Sequence, residues 1–160
     1  MITRRSFTSW SRAAVLTMIA LALGPAGRTR RSQAQVKDGI VVVVNARNPT
    51  ARLAKGEVAK LFLGRLGFWH GVVPVRLYIR PDTGAAAAAF YPKLLGMSPQ
   101  GFRGHWDKQQ LSGKAVAPEV IGPVDELVKK VAATPGGIGF ALASETWDVE
   151  LKGVKLIEVQ

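Results

Sequence analysis

The stretch Ile40-Val41-Val42-Val43-Val44 sets the tightest limit on what this chain can become. Consecutive β-branched residues favour an extended backbone, because their stiff side chains crowd a helical turn. An extended strand sends alternate side chains to opposite faces. No position in this run is polar, which is the pattern of a strand buried on both faces. The fold must therefore supply apolar cover above and below it.

The rest of the chain offers that cover. Asn45 to Pro49 is turn material, and Asn48-Pro49 favours a non-helical backbone. Leu53, Glu57, Val58, Leu61 and Phe62 then fall at helical spacing, with Gly64 suited to end the helix. Trp69 and Gly71 lie in the connection that follows. Val73 to Ile79 alternates, with Val73, Val75, Leu77 and Ile79 on one side and Arg76 and Tyr78 on the other, which predicts a second strand. Arg80-Pro81-Asp82-Thr83-Gly84 reads as a turn into a helix of alanines 85–89 and Phe90, which Pro92 ends or kinks. Ser98-Pro99 is an N-cap followed by proline at the first helical position, and Phe102 and Trp106 share the buried face of that helix. Pro123 opens a further helix whose stripe is Val124, Leu127, Val128 and Val131. Thr134-Pro135-Gly136-Gly137 breaks it, and Ile138–Ala141 and Val154–Val159 read as the last two strands. Strands alternating with helices predict an α/β fold, a three-layer sandwich with helices on both faces.

The first residues predict export. Arg4, Arg5 and Arg12 charge the extreme N-terminus, and Ala13 to Leu23 form an apolar or small stretch interrupted only by Thr17. Eleven residues fall short of the roughly 20 needed to span a bilayer and suit the hydrophobic part of a signal peptide. Gly24-Pro25 ends the stretch, and small residues in Ser32-Gln33-Ala34 place the cleavage after Ala34. Thr3-Arg4-Arg5-Ser6-Phe7 is similar to the twin-arginine address; an ordinary secretory signal with two adjacent arginines is the alternative. The expected organisation is a removable signal over 1–34 and one domain over 35–160, with a periplasmic destination and no membrane insertion after cleavage.

That division changes the meaning of the charge. The full chain carries +11, yet residues 1–34 hold six arginines and no acid, so residues 35–160 carry only +5. The high net charge therefore gives no reason to expect nucleic acid. No cysteine is present, so disulfides, thiol chemistry and cysteine metal sites are excluded, and burial alone must hold the domain.

Catalytic patterns find no support. His70 and His105 are the only histidines and lie 35 residues apart, without metal-ligand spacing. No nucleophile elbow or phosphate-binding glycine loop of the Walker type occurs. Adjacent Asp125 and Glu126 point in different directions on a helix and read as a solvated face. The expectation is a non-enzyme without a cofactor. The turn at Arg80 to Ala85 carries more: a strand ending in arginine and turning into a helix brings backbone N–H groups to one place, where the helix dipole favours an oxyanion. Arg80 offers a fork of donors that Asp82 would orient. An ordinary strand-to-helix turn with Asp82 and Thr83 as N-cap candidates is the competing reading.

Several segments, in order, resemble the periplasmic phosphate-binding proteins of ABC uptake systems, in particular their short single-lobe relatives. They are Val42-Val43-Val44-Asn45 with Asn48-Pro49, Glu57 to Gly64 with Trp69, and Pro74-Val75 with Arg80-Pro81-Asp82 and Phe90. Leu94 to Pro99 with Trp106 and Thr134 to Phe140 complete the series. The resemblance implies a single lobe of the type II periplasmic binding protein fold that binds phosphate or a similar oxyanion reversibly. It places the ligand at Arg80, Asp82, Thr83, Gly84 and Ala85, with Asn45 at the facing strand end. It also implies a partner, either an ABC permease or a second lobe or copy that covers the ligand. Aligned on Arg80 and Phe90, Gly84 stands where the family has serine, and Ala87 where many relatives have a second arginine. A lobe without its ligand, serving as a protein-interaction module in the cell envelope, is the alternative.

Overall fold

The computed structural model describes residues 39–113 and 116–160, so the expected signal over 1–34 lies outside the described residues. The first strand, β1 (Ile40–Asn45), is followed by α1 (Lys55–Phe62), β2 (Phe68–Trp69), β3 (Val73–Pro74) and β4 (Arg76–Ile79). Then come α2 (Ala85–Phe90), α3 (Pro99–Leu111), β5 (Glu119–Val120), α4 (Val124–Ala133), β6 (Gly137–Leu142) and β7 (Val154–Glu158).

Five strands form one sheet in the order β5-β4-β6-β1-β7. β4 runs parallel to β5 and β6, whereas β1 runs antiparallel to both of its neighbours. The sheet is thus mixed, with β1 the strand that opposes the rest. Val42 pairs with Phe140 on one side and Ile157 on the other, so β1 sits inside the sheet. Its side chains divide as the run of valines requires. Val42 and Val44 join a core built with α1, α2 and α3, and Val41 and Val43 join a second core under α4. Helices on both faces of the sheet make the three layers that the sequence implies.

The larger core is fastened by aromatic rings. Phe90 of α2 stacks on Phe140 of β6 with centroids 3.8 Å apart, and Phe62 of α1 meets Phe90 edge-on at 4.7 Å. Such pairs add roughly 0.5–1.5 kcal/mol beyond their buried area. This ring cluster holds α2 against the sheet and so sets the direction in which the chain leaves β4.

Local signals mostly act as expected. Ser98 Oγ accepts from Gly101 N at 3.1 Å to cap α3, whose buried face carries Phe102 and Trp106. Pro92 ends α2 by turning the chain into a π-helical stretch, Tyr91–Leu95, closed by Gly96 in the left-handed region. Two expectations need correction. The single strand predicted over Val73–Ile79 is two elements: β3 pairs with β2 in a separate hairpin, and β4 alone enters the main sheet. Val75 marks the break, because its N–H bonds to Gly67 O instead of a sheet neighbour. The start of α2 is capped by neither Asp82 nor Thr83. Gly84 is the N-cap residue, and no side chain bonds to the exposed amides.

Candidate functional site

Because β4, β5 and β6 are parallel, their carboxyl ends reach the same edge of the sheet. That edge is where ligands sit in open α/β sheets, since loops and helix starts converge there. From β4 the chain passes through Arg80-Pro81-Asp82-Thr83-Gly84 into α2, and from β6 it enters a 3₁₀ turn, Ala143–Thr146.

These two turns meet through an ion pair. Arg80 Nη2 donates to Glu145 Oε1 at 2.8 Å, and the other carboxylate oxygen of Glu145 accepts the N–H of Leu142 at 2.9 Å. The Arg80 side chain is only 12 % exposed, yet its Nε and Nη1 atoms are buried without a protein acceptor. Unpaired buried donors on a cation are costly, because desolvation is not repaid by a bond. Arg80 is therefore held by Glu145 through Nη2, while Nε and Nη1 have no partner.

The helix start that follows in the chain is likewise without side-chain partners. The first N–H to close within the helix is that of Ala88, onto Gly84 O at 3.0 Å. The amides of Ala85, Ala86 and Ala87 precede it and have no acceptor inside the helix. Thr83 and Ala85 are exposed, whereas Ala87 is fully buried in the core. An arginine at position 87 would enter apolar packing, so the second arginine implied by the family alignment has no place in this lobe.

Asp82 does not orient Arg80. Its carboxylate pairs with Arg103 of α3 at 2.7 Å, which ties the turn to the next helix. Nearby, the Tyr91 hydroxyl is buried and unpartnered. Burial pushes its pKa up, the charge of Asp82 adds to that, and Arg103 opposes it.

Asn45 leaves the candidate cradle. Val44 and Leu77 flank Ile138 on opposite sides, so from that level the antiparallel strands carry Asn45 and Arg80 to opposite edges of the sheet. Asn45 is buried and fully used. Its Nδ2 donates to Val131 O at 3.0 Å and Ala132 O at 2.9 Å, and its Oδ1 accepts from Arg47 N at 2.9 Å. The side chain closes the end of α4 and shapes the turn after β1.

Sequence reasoning missed Glu145 and Arg103. Glu145 lies 65 residues from Arg80, and nothing local to Ala143–Thr146 announces the pairing. The histidines take separate structural parts: His105 Nε2 is 3.0 Å from Leu63 O, and His70 Nε2 is 3.2 Å from Thr50 Oγ1. Among the described residues no group of three or more His, Cys, Asp or Glu could hold a metal ion, and no helix is long and apolar enough to cross a membrane.

Comparisons with known proteins agree with the fold. No family model matches the sequence, and no curated protein matches it. Among solved structures, the chain is similar to an ABC-type phosphate transport receptor from Vibrio cholerae, 19 % identical with a TM-score of 0.56, over 76 % of this chain and 46 % of that one. PstS from Borrelia burgdorferi is 14 % identical with a TM-score of 0.57, over 77 % of this chain and 47 % of that one. A phosphate ABC transporter substrate-binding protein from Clostridium perfringens, solved with bound phosphate, is 18 % identical with a TM-score of 0.57, over 76 % and 45 %. The chain spans less than half the length of each of these proteins. Its fold is that of periplasmic binding proteins.

Proposed function

We propose that this chain is an exported, single-lobe solute-binding protein that binds phosphate or a similar small oxyanion reversibly, in connection with ABC-type uptake. The observation that carries the reading is Arg80, held by Glu145 through Nη2 while its buried Nε and Nη1 have no partner, in the turn that leads into the uncapped start of α2. An oxyanion offers several acceptor oxygens to such a set, and charge-assisted bonds are the stronger kind. Arg80, Thr83, Gly84 and Ala85 form the cradle, and Asp82 steadies it through Arg103. Binding needs no chemistry, so the reading has no catalytic residue and no cofactor. The fold likeness to proteins described as phosphate-binding supports the choice of ligand.

Two features shape the strength of binding. Glu145 neutralises the formal charge of Arg80, and Gly84 offers no hydroxyl where the family has serine. A single lobe also leaves its anion open to water, so a second lobe, a second copy or a permease would complete the enclosure. A periplasmic location by the twin-arginine route belongs to the same reading.

Isothermal titration calorimetry of the full chain against phosphate, with sulfate as control, tests it. Saturable phosphate binding that Arg80→Ala abolishes is the expected result; no heat at millimolar phosphate would sink the reading. The second reading, an envelope interaction module that has lost its ligand, draws on the same Glu145 pair and on Trp147, which stands 55 % exposed just after the 3₁₀ turn. In that case Arg80→Ala alters no small-molecule binding, while Trp147→Ala loses a defined envelope protein in pull-downs.

A further inference from the structure

The edge of the sheet opposite Arg80 carries a cleft that the oxyanion reading does not use. It opens where Arg47, Asn48 and Pro49 leave β1 and face the β2–β3 hairpin, and it encloses about 200 Å³. Pro49, Trp69, Val72 and Pro135 give it apolar walls. The hairpin turn explains how Val72 reaches the rim. His70 and Gly71 both have positive φ, and Val72 N bonds back to Trp69 O at 3.0 Å, which leaves the Val72 side chain 78 % exposed.

Apart from His70, whose Nε2 is 3.2 Å from Thr50 Oγ1, the polar groups of the cleft have one character. Asn48 is only 4 % exposed, and its Oδ1 is taken by the N–H of Thr50 at 2.9 Å. Its Nδ2 is buried with no acceptor. Arg47 is exposed at the rim and makes no ion pair among the described residues. Lys155 donates to the carbonyl of Asn48 and adds positive charge behind it. No acidic residue lines the cleft. Donors and cations against apolar walls call for an anionic acceptor on an apolar body. Size limits that body: a dry cavity of about 150 Å³ holds a benzene ring, so this one admits little more.

We propose that this cleft binds a small aromatic or branched aliphatic carboxylate. Its apolar part lies on Trp69 and Val72, its carboxylate faces Arg47, and a small shift of the Asn48 amide brings the unpaired Nδ2 to the same oxygens. An acceptor there satisfies a donor that is otherwise buried and unpaired. The carboxylate belongs either to a free acid or to the C-terminal residue of a peptide, since both present the same chemistry.

The test is titration of the full chain with sodium benzoate, followed by amide and indole NMR shifts. Benzamide supplies the ring without the charge, and acetate supplies the charge without the ring. Saturable benzoate shifts at Trp69, Val72 and Val73 are expected, with both controls weaker by about tenfold or more. Arg47→Gln and Asn48→Asp should each weaken benzoate to a similar degree; Asn48→Asp keeps the acceptor for Thr50 N–H while removing the donor. Val72→Glu, at an exposed position, should repel it without harming the fold. Arg80→Ala should leave it unchanged, which separates this site from the oxyanion cradle. Acetyl-Gly-Phe and its C-terminal amide distinguish the sources: tighter binding of the free-acid peptide than of benzoate indicates a chain terminus, and the reverse indicates a free acid. No shift with either benzoate or the free-acid peptide, or benzoate shifts indifferent to Arg47→Gln and Val72→Glu, would overturn the proposal.

Discussion

Asn45 and Arg80, at opposite edges of the main sheet, use their polar atoms in opposite ways. At the edge where β1 ends, Asn45 is buried and every polar atom it has is engaged by the backbone. At the edge where β4 ends, Arg80 is almost as enclosed, yet two of its nitrogens have no partner. Asn45 closes a helix end and keeps no polar atom of its own side chain for a ligand. Arg80 keeps donors in reserve. Burial alone thus does not distinguish these two residues, whereas the satisfaction of their hydrogen bonds does.

The largest test of the comparison lies in the loop that brings β6 in beside β4. A Cβ on Gly136 would lie 1.9 Å from the Pro74 carbonyl oxygen and 2.9 Å from its carbon, an overlap that only a backbone shift relieves. Gly136→Ala should cost about 3 kcal/mol or more, or prevent folding, as read by thermal denaturation. Expression of a stable, normally melting variant would mean that the β3–β6 approach is looser than described.

Asn45→Leu comes next. It strands the carbonyls of Val131 and Ala132 and the N–H of Arg47, so a loss of about 2–4 kcal/mol is expected in chemical denaturation. Phosphate binding measured on the folded fraction should not change. A change there would place Asn45 back among the ligand residues.

Tyr91→Phe sharpens the other side. Removing an unpartnered buried hydroxyl should be neutral or stabilising by up to about 1 kcal/mol. Because burial raises the pKa of Tyr91 above its ordinary value of about 10, the folded state retains the proton longer than the unfolded one. The associated stability is fully present below that pH and is lost as pH rises toward the folded value. The wild type should therefore weaken more steeply than Tyr91→Phe in alkaline melts; identical alkaline slopes would mean that another group governs them.

Gly84→Ser has the smallest expected effect on stability. A Cβ at Gly84 meets only Pro81 O, at 3.6 Å, so serine fits, and as an N-cap residue it should add a few tenths of a kcal/mol. It also puts a hydroxyl where the family carries one, so phosphate should bind about tenfold more tightly, ~1.4 kcal/mol. Unchanged affinity in calorimetry would argue that the anion does not sit at the start of α2.

The sequence alone determined the layers and most of the elements. A run of valines with no polar face demands cover on both sides, and helical spacing, Ser98 and the prolines locate helices by forces acting within a few residues. The Arg80 turn was legible for the same reason, since strand, turn and helix start are contiguous. Other features were decided only by the tertiary structure. β1 runs against its neighbours, which sends Asn45 to the far edge although its sequence context suits a strand end facing the Arg80 turn. The two-residue strands β2, β3 and β5 are too short to show a period, and they exist because a neighbour presents an edge. The partners of Arg80 and Asp82, Glu145 and Arg103, come from distant turns and helices. An ion pair leaves no local pattern in a chain, because its geometry is set by packing between elements and not by spacing along one of them.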